Sequence, residues 1–367
     1  MEAYSVYHDL KERTGGQLLI GIVGPVRTGK STFIRHFMEL TALAYMEENT
    51  RKETMDQLPV SGSGKMITTV EPKFIPREAV QIHITEELSL KLRMIDCVGF
   101  LVKDATGSRE NDQERLVKTP WSKQEMPFGK AADYGTQKVI REHATVGIMV
   151  TTDGSFGEIP RENFVPAEEK TIAELQTAKK PFVILLNTQK PYKEETKLLI
   201  KSMQEKYGVP VTAVNCEQLK QEDILKILEM ILSECPVLRL SFYIPRWAEI
   251  LPTNHPMKQK LLACARHMAE GLVHMRDVRT CPLTAVDDSI RYCGYENIDT
   301  STGSVDVRLE LKEEYYYRPL TELTGTQIDG EYDLVRLLRQ LSTKKTEYDR
   351  VLSAVESVRQ SGYGVVL

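Results

Sequence analysis

Apolar residues along this 367-residue chain change their spacing in a regular way. An unbroken apolar run over 18–23 predicts a buried strand, and in 33–48 Phe33, Phe37, Leu40 and Ala44 recur at helical spacing. The polar stretch 49–65 has no sustained period. Residues 79–85 and 88–95 alternate apolar with polar positions around Glu86-Glu87, which predicts a hairpin. Residues 102–127 are long, polar, punctuated by Gly and Pro, and aperiodic. The pattern then switches repeatedly. It predicts a helix over about 131–143, a strand over 146–151, a helix over about 167–178 and a strand over 182–186. A helix over about 194–207, a strand over 211–214 and a helix over 221–232 complete the series. This alternation predicts a doubly wound α/β sheet with its ligand site at the strand C-termini.

Cys235-Pro236 ends that series and suggests a domain boundary near residue 236, giving domains 1–236 and 237–367. The second part begins with an apolar run over 237–244. A helix over about 257–279, a strand over 305–312 and a long charged helix over about 332–359 follow, which together read as a smaller mixed α/β assembly domain. Met257, Met268 and Met275 read as packing residues. Tyr315-Tyr316-Tyr317 reads as an aromatic strand end on a core, with a docking surface as the alternative. Residues 362–367 look like the start of a linker or strand.

Composition changes this picture little. Apolar residues at 41% and charged residues at 27% suit a soluble globular protein long enough for more than one core. A net charge of −4 leaves no basic excess, so nucleic acid is not expected as the main partner. No apolar stretch approaches a transmembrane segment and the start lacks a signal-peptide pattern, which points to a cytoplasmic protein. The six cysteines form no Cys-x-x-Cys pair and read as reduced, mostly buried thiols.

The chemistry centres on Gly24-Pro25-Val26-Arg27-Thr28-Gly29-Lys30-Ser31-Thr32, which has the phosphate-loop spacing between a predicted strand and a predicted helix. The glycines let backbone N–H groups and the positive helix end face a polyphosphate. Lys30 would reach the β- and γ-phosphates and Ser31 would hold Mg²⁺, with Gly24, Arg27, Thr28, Gly29 and Thr32 completing the nucleotide contacts. Asp96 ends an apolar strand with Gly99 three residues on, a placement suited to holding Mg²⁺ through water and sensing the γ-phosphate. The hairpin feeding that strand puts an antiparallel edge on an otherwise parallel sheet, so the fold resembles the GTPase-like class of phosphate-loop NTPases.

Three positions refine the expectation. Phe100 follows Gly99 where Ras-like GTPases carry a water-orienting Gln, so hydrolysis should be slow until another group assists. Asn187-Thr188-Gln189-Lys190 stands where a GTPase carries Asn-Lys-x-Asp. Asn187 keeps its place among the nucleotide-binding residues, but Lys190 replaces the guanine-reading Asp, which favours ATP over GTP. Thr68-Thr69 is the only adjacent Thr pair between the phosphate loop and the Asp96 strand. It fits either a plain surface loop or a γ-phosphate sensor.

The chain resembles the stage IV sporulation protein A family of spore-coat ATPases. The resemblance runs from Arg13-Thr14-Gly15-Gly16 through the phosphate loop, Glu71-Pro72-Lys73-Phe74, Asp96-Cys97-Val98-Gly99, Thr119-Pro120-Trp121 and Thr151-Thr152-Asp153-Gly154. It continues to Lys345-Thr346-Glu347-Tyr348-Asp349 and Ser361-Gly362-Tyr363-Gly364. It implies ATP binding and hydrolysis that drive self-assembly into a homopolymer, the basement layer of the spore coat. The implied place is the mother-cell cytoplasm, on the outer forespore membrane, with a small amphipathic anchoring peptide and other coat proteins as partners. The family's Walker A lysine falls on Lys30 and its Walker B aspartate on Asp96. The first of its paired sensor threonines falls on Thr69 and the second on Val70, so the sensor is Thr69 or Thr68. The resemblance also implies a C-terminal domain beyond residue 367, whose functions are not expected of this chain. A GTPase-type switch and a nucleotide-binding scaffold without hydrolysis are the competing functions.

Overall fold

The computed structural model describes residues 17–43, 46, 48–59, 71–83, 89–103, 105, 109–110, 113–280, 288–299 and 302–363. The chain divides into two compact units. One comprises residues 1–240 with 271–281 and 298–305, and the other 241–270, 282–297 and 306–367.

The first unit is organised around β1 (Gln17–Val23), whose apolar run follows from burial on both faces. β1 leads through a glycine loop into α1 (Lys30–Thr41), and α2 (Glu48–Gln57) follows. β2 (Lys73–His83) and β3 (Ser89–Asp96) pair antiparallel, as the alternating pattern predicts. The aperiodic stretch carries two short ladders, β4 (Arg109–Glu110) with β5 (Gln113–Glu114) and β6 (Leu116–Thr119) with β7 (Ser122–Pro127). Next come α3 (Phe128–Lys138), running into a π-helical turn at Val139–His143, then β8 (Val146–Thr152) and α4 (Arg161–Thr177). β9 (Phe182–Asn187), α5 (Glu194–Tyr207), β10 (Val211–Val214) and α6 (Gln221–Glu234) complete the alternation.

The main sheet has the order β10-β9-β8-β1-β3-β2. All neighbours are parallel except β2 with β3. Alternating strand residues feed two cores. Leu18, Ile20 and Ile22 of β1 join Val183 and Leu185 of β9 under Phe33 and Phe37 of α1 and the apolar stripe of α6. Val23, Met149, Ile184 and Leu186 point the other way, against Ile172 and Leu175 of α4 and Met203 of α5. The chain runs from β1 to β3 on one side and then to β8 on the other, so the strand order reverses at β1. The loop leaving β1 therefore lies at the topological switch point.

The remaining elements depart more from the pattern. β11 (Arg239–Tyr243) lies beside β13 (Ser304–Leu311) in a three-stranded sheet whose other member is β12 (Ile290–Asp299). α7 (Arg246–Ile250) is short. The single helix expected over 257–279 is two, α8 (Pro256–Gly271) and α9 (Met275–Thr280). Helix α8 stops at Gly271, and the Asp277 carboxylate then accepts the N–H groups of Val273 and His274, which starts a new helix. Met257, Met268 and Met275 are buried as expected. Tyr315-Tyr316-Tyr317 is not a strand end but the first turn of α10 (Glu314–Thr324), with Tyr316 edge-on to Trp247 at 5.5 Å. The acidic residue opening that helix and the aromatic packing outweigh the strand preference of tyrosine. α11 (Glu331–Ser361) is 31 residues long and leaves Leu338, Leu341, Tyr348 and Val355 exposed.

Candidate functional site

The loop after β1 is built by close approach. Gly24 has φ 135°, and a Cβ there would lie 2.2 Å from the carbonyl oxygen of Val150, so only glycine lets the loop lie on the β8 backbone. Thr28 donates its hydroxyl to the Pro25 carbonyl at 3.0 Å. Lys30 opens α1, buried, and its Nζ donates to the carbonyls of Gly24 at 3.2 Å and Pro25 at 2.6 Å. Burial pushes its ammonium below the usual lysine range, against opposing pulls from Cys97 and Asp96. Helix α1 has no side-chain cap and no acidic residue in its first turn. Its first N–H groups and positive dipole end therefore face the loop with an affinity for anions. Ser31 and Thr32 stand on that first turn.

Asp96 arrives from β3, in register with Ile22 of β1 and with Lys73 of β2. Burial raises its carboxyl to about 6, although Lys30 and Lys73 pull it down and the Cys97 N–H and Ser31 hydroxyl donate to it. Its Oδ1 is buried without a hydrogen-bond partner. An orphaned carboxylate oxygen beside the Ser31 hydroxyl is the oxygen donor set that suits a hard cation such as Mg²⁺. Gly99 has φ 93°, and a Cβ there would lie 2.0 Å from Gly24 O and 2.7 Å from Lys30 Nζ. The loops after β1 and β3 thus pack backbone on backbone, and Val26 N–H donates to Phe100 O at 2.9 Å. The Phe100 ring is buried with Val26, Phe164 and Ala167.

Asn187 occupies the end of β9, where its amide ties two loops together. Nδ2 donates to Thr28 O at 3.1 Å and Oδ1 accepts from Cys216 N–H at 3.0 Å. A Cβ on Gly29, whose φ is 94°, would meet that same amide at 2.5 Å. Beyond it, Lys190 N–H donates to Thr188 Oγ1, Thr188 donates to Asp153 Oδ2 at 2.5 Å, and Gln189 N–H donates to Ser155 Oγ. The loop after β8 therefore braces the loop after β9. A cleft of about 420 Å³ adjoins them, lined by Gln189, Lys190, Tyr192, Asn215, Gln218 and Asp223.

The structure thus brings Gly24, Thr28, Gly29, Lys30, Ser31, Asp96 and Asn187 together around one loop. Arg27 is the loop's exposed member. Thr68 and Thr69 lie outside the described residues, so the sensor expectation has no structural counterpart. Sequence reasoning missed the bracing roles of Asp153, Ser155 and Thr188. The available signal was the Asp153-Gly154 turn directly after a buried strand, the end at which an α/β sheet collects its site residues.

Two family models match the chain. The ATPase domain of stage IV sporulation protein A matches residues 1–236 and the middle domain of the same family matches 237–367. Stage IV sporulation protein A of Clostridioides difficile strain 630 is 42% identical over 99% of this chain and 74% of its own length. The Bacillus anthracis and Bacillus subtilis proteins of that name are 39% and 38% identical, each over 100% of this chain and 75% of their own length. Among the described residues no helix is long and apolar enough to cross a membrane. With both models tiling the chain and three relatives of that name 38–42% identical over 99–100% of it, the chain belongs to the stage IV sporulation protein A family.

Proposed function

We propose that this chain is a phosphate-loop NTPase of the GTPase-like class that hydrolyses Mg²⁺-ATP to drive its own polymerisation in the basement layer of the spore coat. The observation that carries this reading is one pairing. A buried ammonium, Lys30, and a buried carboxylate oxygen without a protein partner, Asp96 Oδ1, meet beside an uncapped helix start. The antiparallel β2 at the sheet edge supports the GTPase-like assignment, and Lys190 in the base-reading position supports ATP.

In this reading Lys30, the loop amides and the α1 N-terminus hold the phosphates, while Ser31 and Asp96 hold the cation. Bound Mg²⁺ neutralises charge building on the phosphoryl oxygens. Gly99 lets the loop after β3 lie against the phosphate side of Gly24. Thr69, or Thr68, contacts the γ-phosphate and moves when it leaves, giving the loop two positions that expose or hide an assembly surface. Self-assembly finds support in α11. Leu334, Leu338, Leu341, Lys345, Tyr348, Leu352 and Val355 alternate at four- and three-residue steps, the spacing of a coiled-coil seam. In a parallel pair Lys344 of one copy would lie opposite Asp349 of the other, so the occupant assigned to this face is a second copy of the chain. The amphipathic anchoring peptide, other coat proteins and a place on the outer forespore membrane complete the reading by family.

The test is phosphate release from ATP and GTP together with sedimentation of the product, for the parent chain, Thr69→Ala and Thr68→Ala. The expected result is turnover and pelletable polymer with ATP, little with GTP, and loss of both but not of nucleotide binding when the sensor threonine is removed. Equal turnover of ATP and GTP would overturn the base assignment. Polymer without phosphate release would favour the scaffold reading, for which the buried Phe100 speaks. Normal assembly by both threonine variants would sever this loop from assembly.

A further inference from the structure

We propose that Lys170 is a positioning residue for hydrolysis that acts through Phe100. The proposal rests on the ATP-hydrolysis reading above and concerns the loop in which that reading finds no water-orienting side chain. Three elements meet at the Lys170 ammonium. Its Nζ, carried by α4, lies 4.4 Å from the centroid of the Phe100 ring and 2.6 Å from Oδ2 of Asp133 on α3. Phe100 belongs to the loop after β3, and its carbonyl oxygen accepts the Val26 N–H of the phosphate loop at 2.9 Å. Printed contacts thus run without a break from α3 through Lys170 and Phe100 to the phosphate loop.

Stability does not account for this arrangement. The Lys170 and Asp133 side chains are 45% and 37% exposed, and an ion pair so open to water contributes little to folding. Phe100 is buried by Val26, Phe164 and Ala167 whether or not a cation lies over it. What the ammonium adds is direction, because it is drawn to the face of the ring and not to its edge. A cavity of about 250 Å³ opens beside the ring, lined by Leu101, Gly129, Asp133, Pro166 and Ala167. Packing alone therefore leaves the ring room to shift on this side, and the Lys170–Asp133 pair takes that room away. A fixed ring holds the loop after β3 in one place, with Gly99 close against Gly24 and Lys30. Where no side chain of this loop orients the water, the placement of its backbone carries more of the rate.

The experiment compares Lys170→Met, Lys170→Arg, Phe100→Leu and the double variant Lys170→Met with Phe100→Leu, all in the full chain. It measures thermal unfolding, ATP affinity, and kcat and KM for phosphate release. Lys170→Met keeps the apolar stem and removes the charge, so it should unfold within about 4 °C of the parent chain. Its kcat should fall at least about tenfold, toward the roughly hundredfold loss that a misplacement of about 1 Å causes, while KM and ATP affinity change by less than about threefold. Lys170→Arg keeps a cation over the ring and should recover most of kcat. In the Phe100→Leu background Lys170→Met should cost less than about a further twofold, because the ring through which it acts is gone. A Lys170→Met chain with unchanged kcat, or one whose loss is the same with and without the Phe100 ring, would overturn the role while leaving the hydrolysis reading intact. A parent chain that releases no phosphate from ATP would overturn both.

Discussion

Burial and charge oppose each other at Asp96, and burial prevails. The carboxyl rises from 3.8 to about 6 in spite of Lys30 and Lys73. Because the folded pKa exceeds the unfolded one, the folded chain binds more protons between about pH 4 and 6. This group's contribution to stability is therefore full below that window and is lost as pH rises through about 6. Asp96→Asn should make the ligand-free chain more stable at pH 7.5, by on the order of 2 kcal/mol, and should flatten the fall between pH 5 and 7.5. It should also cut phosphate release far more than nucleotide binding. Calorimetry at the two pH values alongside turnover checks this, and an unchanged pH dependence would count against it. A residue that costs stability in the ligand-free chain is the trade expected of a binding site.

Loops after three parallel strands converge at the element scale, and Asn187 is the joint between two of them. Asn187→Ala leaves Thr28 O and Cys216 N–H buried without partners, a loss of about 1–3 kcal/mol. It should also weaken nucleotide binding by loosening the loop, whereas Asn187→Asp should restore only the Cys216 bond. Urea unfolding and nucleotide titration separate the two effects. Much of this element layer was legible beforehand, because β1, buried on both faces, prints an unbroken apolar run, while the β2–β3 hairpin and the later helices each bury one face and print a clean period. The glycine loop and Asp96 were legible because a glycine-spaced turn between strand and helix and an Asp closing an apolar strand are both local features of the sequence. Asn187 was legible by its place at the end of an apolar strand, but its bonds to Thr28 and Cys216 depend on partners 159 and 29 residues away that no local pattern marks. α2 escaped notice because it is almost wholly polar, and Tyr315-Tyr316-Tyr317 misled because aromatic runs favour strands until a helix packs them on Trp247.

For the whole molecule, assembly and turnover should be separable at α11. Leu338 and Leu341 are 56% and 48% exposed, so charging them should leave the fold intact. Leu338→Glu with Leu341→Glu should abolish pelletable polymer at protein concentrations where the parent assembles, while nucleotide affinity stays within about twofold. Polymer that persists in the double variant would remove α11 from the interface. The sheet order carries a different consequence, for the making of the chain. β1 is the first described strand, yet it sits in the middle of the sheet, and Thr145, 126 residues away, supplies the side chain that bonds Leu19 at its flank. Its other neighbour, β3, comes no earlier than residue 89. A nascent chain therefore carries β1 with at least one edge unpaired until β8, which ends at Thr152, has left the ribosome. At about 5–20 residues per second, that exposure lasts several seconds to half a minute, and long-range parallel pairing is itself slow. The central position that puts the glycine loop at the switch point also makes β1 wait on two distant parts of the chain before both of its edges are paired.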